Sequence, residues 1–214
     1  IFPHFSLPSS KLFVLLHRVY PLVTKRTLSM SECFSNDITQ LLTQLHELKG
    51  AEYSRRVELI ARRSEFRLVK GETNIFSVGG EQSEDYGNLL VAARKAVAQG
   101  FNVYLLPNPN GVRTADFIFE RKGTYKIYDL KTIQGKASAQ NRLMESVGQT
   151  NRVVLNMATD YNPSSLARSI KRYFERNANA LEVIVFKGHK FITISPELAR
   201  SASFYNIFLK KYTK

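Results

Sequence analysis

The sequence predicts an α/β (α+β) chain with an αβββαβ core, a mixed sheet, and a small helical region before it. Three observations predict this class. Apolar residues recur at helical spacing in 38–48 and again in 86–97. Three strand-like runs follow, 101–106, 117–119 and 125–133, joined by short connections. A helical segment then separates them from the apolar run Arg152-Val153-Val154-Leu155-Asn156-Met157. Short connections suit an antiparallel meander, and a helical crossover returns the next strand parallel.

The 214 residues suit one domain of ordinary size with an appended segment. Lys plus Arg is 31 against 18 Asp plus Glu, a net charge of +13. Such a surplus favours a polyanion, nucleic acid ahead of an anionic membrane. One cysteine, Cys33, excludes an intrachain disulfide and a cysteine-built zinc site. No apolar run reaches the roughly 18 residues of a membrane span. Leu12–Leu16 is cut by His17-Arg18 and Pro21, and it is a poor secretory signal.

Residues 1–29 carry Lys11, Arg18, Lys25 and Arg26 and no acid, and Met30-Ser31-Glu32 resembles a true start. This predicts a poorly ordered tail or upstream segment over 1–29, a helical hairpin over 30–70 and the main domain over 71–214. Ser35-Asn36-Asp37 signals a helix start, and Gly50 is expected to end that helix. A second amphipathic stretch, 51–65, places Tyr53, Val57 and Ile60 on one face and Arg55, Arg56, Arg62 and Arg63 around the other. Those arginines suit a solvated face or nucleic-acid contact equally.

Asn74–Val78 suggests one strand. Ser83 is expected to cap a helix with Glu84 and Asp85 in its first turn and Gly100 as its stop. Pro107-Asn108-Pro109-Asn110-Gly111 is a loop. After the strand runs, a helix is expected over about 138–150. A basic helix over 165–177 turns Leu166, Ile170, Tyr173 and Phe174 inward. Strands over 181–186 and 190–194 flank Lys187-Gly188-His189, and Pro196 opens a last helix. This order is that of the restriction-endonuclease-like fold.

The chemistry centres on Ala115-Asp116-Phe117 and Tyr128-Asp129-Leu130-Lys131. Residues two apart on a strand share a face, so Asp129 and Lys131 point the same way. If the two stretches pair as a hairpin, Asp116 comes near Asp129. Two carboxylates and an ammonium then converge, enough to hold a hard divalent cation beside a phosphodiester. Asp116 and Asp129 are the expected ligands of Mg2+ or Mn2+, with a main-chain carbonyl, that of Leu130, as a further donor. Lys131 is expected to orient water and offset developing charge. An Asp-x-Lys pair on a strand is equally the pattern of an exposed ion pair. Asp116 gains weight from lying against a strand apolar enough to be buried.

Asn141, Glu145, Ser146 and Gln149 are spaced to share one helical face, and Gln149 is expected to position water or phosphate. From Thr132 to the end there are 13 Lys plus Arg against 5 Asp plus Glu. Arg142, Arg152, Arg168, Lys171, Arg172 and Arg176 are the candidate phosphate contacts. Tyr128, Tyr161 and Tyr173 suit base stacking or core packing. The histidines His4, His17, His46 and His189 are scattered and give neither zinc spacing nor an acid–base pair. No phosphate-cradling glycine loop with Lys-Ser/Thr occurs, which argues against an NTPase.

At these residues the chain resembles the C-terminal toxin nucleases of contact-dependent growth inhibition proteins (CdiA). The resemblance covers roughly residues 86–194. It rests on Ala98-Gln99-Gly100, Val103-Tyr104-Leu105-Leu106-Pro107, Ala115-Asp116-Phe117, Tyr128-Asp129-Leu130-Lys131-Thr132-Ile133, and Gln149 before an apolar strand. It implies a PD-(D/E)xK-type, metal-dependent nuclease, commonly acting on transfer RNA. It also implies a cytoplasmic site of action after secretion or delivery, and an acidic immunity protein as partner. Asn88 stands where family members often carry a metal-facing glutamate, and Asp129 where they more often carry Glu. The rival readings are a catalytically silent nucleic-acid-binding module on the same fold, a metal-independent barnase-like ribonuclease, and an enzyme that acts on DNA.

Overall fold

A computed structural model describes residues 38–79, 85–108, 114–135 and 138–214, except for the side chain of His46. The expectations for 1–29, the start at Met30, Cys33, the cap at 35–37, Ser83, Glu84, and Pro109-Asn110-Gly111 lie outside the described residues.

Helix α1 covers residues 38–44 and passes into a 3-10 turn, Leu45–Glu47. Gly50 opens helix α2 (Gly50–Ala61) rather than ending α1, because the chain turns there at φ +59°. Strands β1 (Arg67–Leu68) and β2 (Ile75–Ser77) precede helix α3 (Tyr86–Val97). Strands β3 (Asn102–Leu105), β4 (Phe117–Arg121) and β5 (Thr124–Ile133) form the meander. Helix α4 (Ala139–Glu145), strand β6 (Arg152–Met157), helix α5 (Pro163–Arg176), strands β7 (Glu182–Lys187) and β8 (Lys190–Ile194), and helices α6 (Pro196–Arg200) and α7 (Phe204–Thr213) complete the chain. Strand β1 and helix α7 were not expected from the sequence.

The strands make one sheet of 8 in chain order. The β3–β4 and β4–β5 pairs are antiparallel, and β5–β6 and β6–β7 are parallel. This is the expected mixed sheet. The β4–β5 hairpin closes through Lys122-Gly123, both at positive φ (52° and 75°), and the Gly123 N–H donates to Glu120 at 2.7 Å. A two-residue loop with both residues left-handed matches the twist of the strands it joins.

Alternation along the strands divides the core. Phe117, Phe119, Tyr128 and Val154 point to one face, where Ala92, Ala93 and Ala96 of α3 cover them. Small residues let α3 approach the sheet closely. On the other face, Val57 and Ile60 of α2 cover Ile118 and Ile127. Further along that face, Leu143, Ile170, Phe174 and Phe208 cover Ile133, Val153 and Val185. The N-terminal helices thus share a core with the meander. The residues of β5 on this second face read Ile127, Asp129, Lys131, Ile133. The strand starts beneath α2 and ends beneath α4, and its two charged residues fall in the seam between the helical layers.

Candidate functional site

Strand β4 pairs with β5 only as far as Phe117 opposite Tyr128, whereas β6 pairs with Asp129 through Ile133. The sheet therefore forks at residue 129, and among the described residues no strand pairs with that side of β5 beyond it. Asp116 turns away from β4 at this fork. Its N–H donates to the Tyr128 carbonyl at 3.0 Å, and its Oδ2 accepts from the Leu130 N–H at 2.6 Å. The carboxylate satisfies an edge amide that would otherwise be orphaned.

Asp129 is 1% exposed. The Lys131 ammonium donates to its Oδ1 at 3.0 Å and lies 2.8 Å from Oδ2. The ammonium thus lies slightly nearer Oδ2 than Oδ1, and both oxygens are engaged by it. Lys131 also reaches Gln149 Oε1 at 3.5 Å. A cleft of about 540 Å³ opens over this group. Asp116, Asp129, Lys131 and Gln149, the expected catalytic set, all line it, as do Asp85, just before α3, and Asn88 of α3.

Burial, then the neighbouring Asp129 charge, pushes the Asp116 carboxyl up to about 7, against the Leu130 N–H and the Lys131 charge. Burial also raises Asp129, with Lys131 opposing it and Glu145 adding to the rise. Like charges this close do not both ionise readily, so near neutral pH the pair shares a proton.

Gln149 arrives by a different route from the one expected. Helix α4 ends at Glu145, short of 150. Ser146 is fully buried and donates to the Leu143 carbonyl at 2.7 Å. Gly148 turns the chain at φ +88°, a conformation open to glycine, and this aims Gln149 at the cleft. The predicted polar stripe is therefore not a helix face. Asn141 and Glu145 are exposed, and Glu145 pairs with Arg142 at 2.9 Å.

The six candidate phosphate contacts separate. Arg142 lines the cleft. Arg152 lies beside Glu182, 3.7 Å away, and lines a neighbouring cavity. Arg168, Arg172 and Arg176 form an exposed stripe along α5, and Lys171 sits 5.6 Å from the Tyr205 ring centroid. These four are not among the residues that line the cleft. Tyr128 and Tyr173 are core residues, 1% and 0% exposed. Tyr161 accepts from the Ala139 N–H at 3.3 Å.

Sequence reasoning missed Asp85 as a wall of the cleft, because it reads as an ordinary helix-start acid. Its carboxylate accepts from Asn88 at 3.3 Å. Among the described residues, no three His, Cys, Asp or Glu cluster as a metal site, and no helix is long and apolar enough to cross a membrane.

No protein-family model and no curated protein matches the chain. Among solved structures it is similar to a chain of a CdiA-CT/CdiI toxin and immunity complex from Burkholderia pseudomallei. The identity is 20%, the TM-score 0.39, and the match covers 56% of this chain and 99% of that one.

Proposed function

We propose that the cleft hydrolyses phosphodiester bonds of nucleic acid with the help of a divalent cation, as a toxin-type endonuclease. One observation carries this reading. Asp116, Asp129, Lys131 and Gln149 converge at the sheet fork, and both oxygens of the buried Asp129 carboxylate lie within 3.0 Å of the Lys131 ammonium. The donors fit the cation. Mg2+ takes one or two protein carboxylates and keeps its remaining sites for water and phosphate oxygens, and Mn2+ accepts the same donors.

Asp116 and Asp129 would hold the cation, and Asp116 would give up the shared proton to do so. When bound, the cation supplies positive charge against the phosphoryl oxygens and acidifies water. Lys131 is fixed by Asp129 on one side and Gln149 on the other, so its ammonium meets developing negative charge without reorganising. Gln149 offers its oxygen to Lys131, and its NH2 keeps donors for water or a phosphate oxygen. Arg142 gives the cleft wall a guanidinium for the adjacent phosphate.

Transfer RNA as substrate, delivery into the cytoplasm of a target cell, and restraint by an acidic immunity protein rest on the sequence resemblance. The +13 net charge supports a polyanionic substrate and an acidic partner alike.

The test is incubation with total transfer RNA and with plasmid DNA, in Mg2+, in Mn2+ and in EDTA, beside Asp129→Ala. Cleavage that needs both metal and Asp129 is expected, and the substrate cut names the class. Cleavage indifferent to EDTA would replace this reading with a metal-independent ribonuclease. Salt-sensitive binding with no cleavage in either metal would leave a silent binding module, with Asn88 in place of an acid as its cause.

A further inference from the structure

A second cavity, of about 630 Å³, adjoins the cleft, and Thr114 and Gln149 belong to the walls of both. It lies where the N-terminal helices meet the strand ends. Leu42 and Ile127 make part of its wall apolar, Tyr53 adds a half-buried ring, and Asn151 and Asn179 add amides. Lys49 and Arg152 place positive charge there.

This volume is that of a small-ligand site, and few ligands use such mixed walls together. A nucleobase does. Its π-faces suit an aromatic ring and aliphatic side chains, its edge suits amides, and its flanking phosphates suit Lys and Arg. Because Thr114 and Gln149 wall both cavities, a base held here lies next to a phosphate held in the cleft. We propose that the second cavity takes an unpaired nucleobase of the nucleotide beside the scissile phosphate. The substrate is then single-stranded or looped nucleic acid rather than continuous duplex, because a paired base reaches the cavity only by leaving its stack. This assignment rests on the phosphodiesterase reading of the cleft.

The probe is a set of single-stranded RNA and DNA oligonucleotides carrying 2-aminopurine at successive positions. Each is bound to the full chain in EDTA, with fluorescence reporting stacking and anisotropy reporting affinity. One position is expected to change its fluorescence. Tyr53→Leu should abolish that change and weaken single-strand binding about tenfold, and Tyr53→Phe should keep both, as loss of one base–aromatic stack requires. Ser54 is exposed and its hydroxyl donates to the Gly50 carbonyl at 3.3 Å. Ser54→Leu therefore narrows the cavity without touching the core and serves if Tyr53→Leu fails to fold. The stronger of the RNA and DNA arms names the sugar.

No change at any position, or wild-type affinity in both leucine variants, would overturn the proposal. Duplex bound as tightly as single strand would do the same. Cleavage of the same oligonucleotides in Mg2+ is scored separately. A base signal without cleavage keeps the cavity assignment and removes the nuclease, and cleavage without a base signal does the reverse.

Discussion

Replacing Asp116 with Asn removes an ionisable group while keeping an oxygen for the Leu130 N–H, now met at 2.6 Å. In the unfolded chain the Asp116 carboxyl titrates at its ordinary 3.8, and in the fold it titrates at about 7. Below 3.8 both states hold the proton, and its contribution to stability is complete. Between the two values the folded state holds a proton that the unfolded state has released, so the contribution falls as pH rises. Above 7 it is gone. At ~1.4 kcal/mol per pH unit, metal-free protein should lose about 3 kcal/mol from this group between pH 5 and pH 8. Asp116→Asn has no such loss. Relative to the wild type, the variant should therefore gain about 3 kcal/mol over that interval while losing metal-dependent cleavage. The assay is urea unfolding of both proteins in EDTA at the two pH values, followed by circular dichroism. Asp129, also raised by burial, leaves a slope of the same sign in the variant. A wild-type stability that does not fall, or an equal fall in Asp116→Asn, would refute the shared-proton description of the site.

The remaining predictions concern neighbouring parts of the molecule. Cation binding should release about one proton near pH 6, seen by calorimetry in buffers of different ionisation enthalpy, and affinity should rise with pH up to about 7. Lys131→Met leaves Asp129 buried without its cation, so cleavage should fall at least ~100-fold in kcat, with RNA binding in EDTA much less affected. Tyr128→Phe removes the bond to Glu182 at 2.6 Å and should cost ~1 kcal/mol in urea unfolding, because Glu182 keeps Lys126 at 3.2 Å. Replacing Arg168, Arg172 and Arg176 with Ala should lower the salt dependence of nucleic-acid binding by up to ~0.7 per phosphate lost on a single strand. It should leave kcat unchanged, since these side chains do not line the cleft.

The long helices and the central strands were legible because their signals are local. The apolar spacing of α3 and α5 and the strand runs each lie within a few residues of chain. Strand β1 has two residues, both exposed, so burial leaves no pattern there to detect. The break between α6 and α7 at Ser201 carries neither glycine nor proline to mark it in the sequence. The excess length given to α4 has a similar origin. Val147 continues an apolar spacing that Ser146, turned inward onto Leu143, and Gly148 interrupt only in three dimensions.

The sequence by itself determined the α/β class, the order of the core elements, and the shared face of Asp129 and Lys131, since strand geometry fixes that face once the strand is granted. It also determined the positive charge and the excess of oxygen donors over histidine or cysteine. Only the tertiary structure decided that β4 stops pairing at Tyr128 and that Asp116 caps the Leu130 N–H just beyond. Only the tertiary structure brought Asp85, Asn88 and Gln149 to the same cleft and left Arg168, Lys171, Arg172 and Arg176 on α5 outside it. The raised Asp116 carboxyl belongs to the same class. Burial and the approach of a second carboxylate 13 residues along the chain create it, and no local pattern carries information about either.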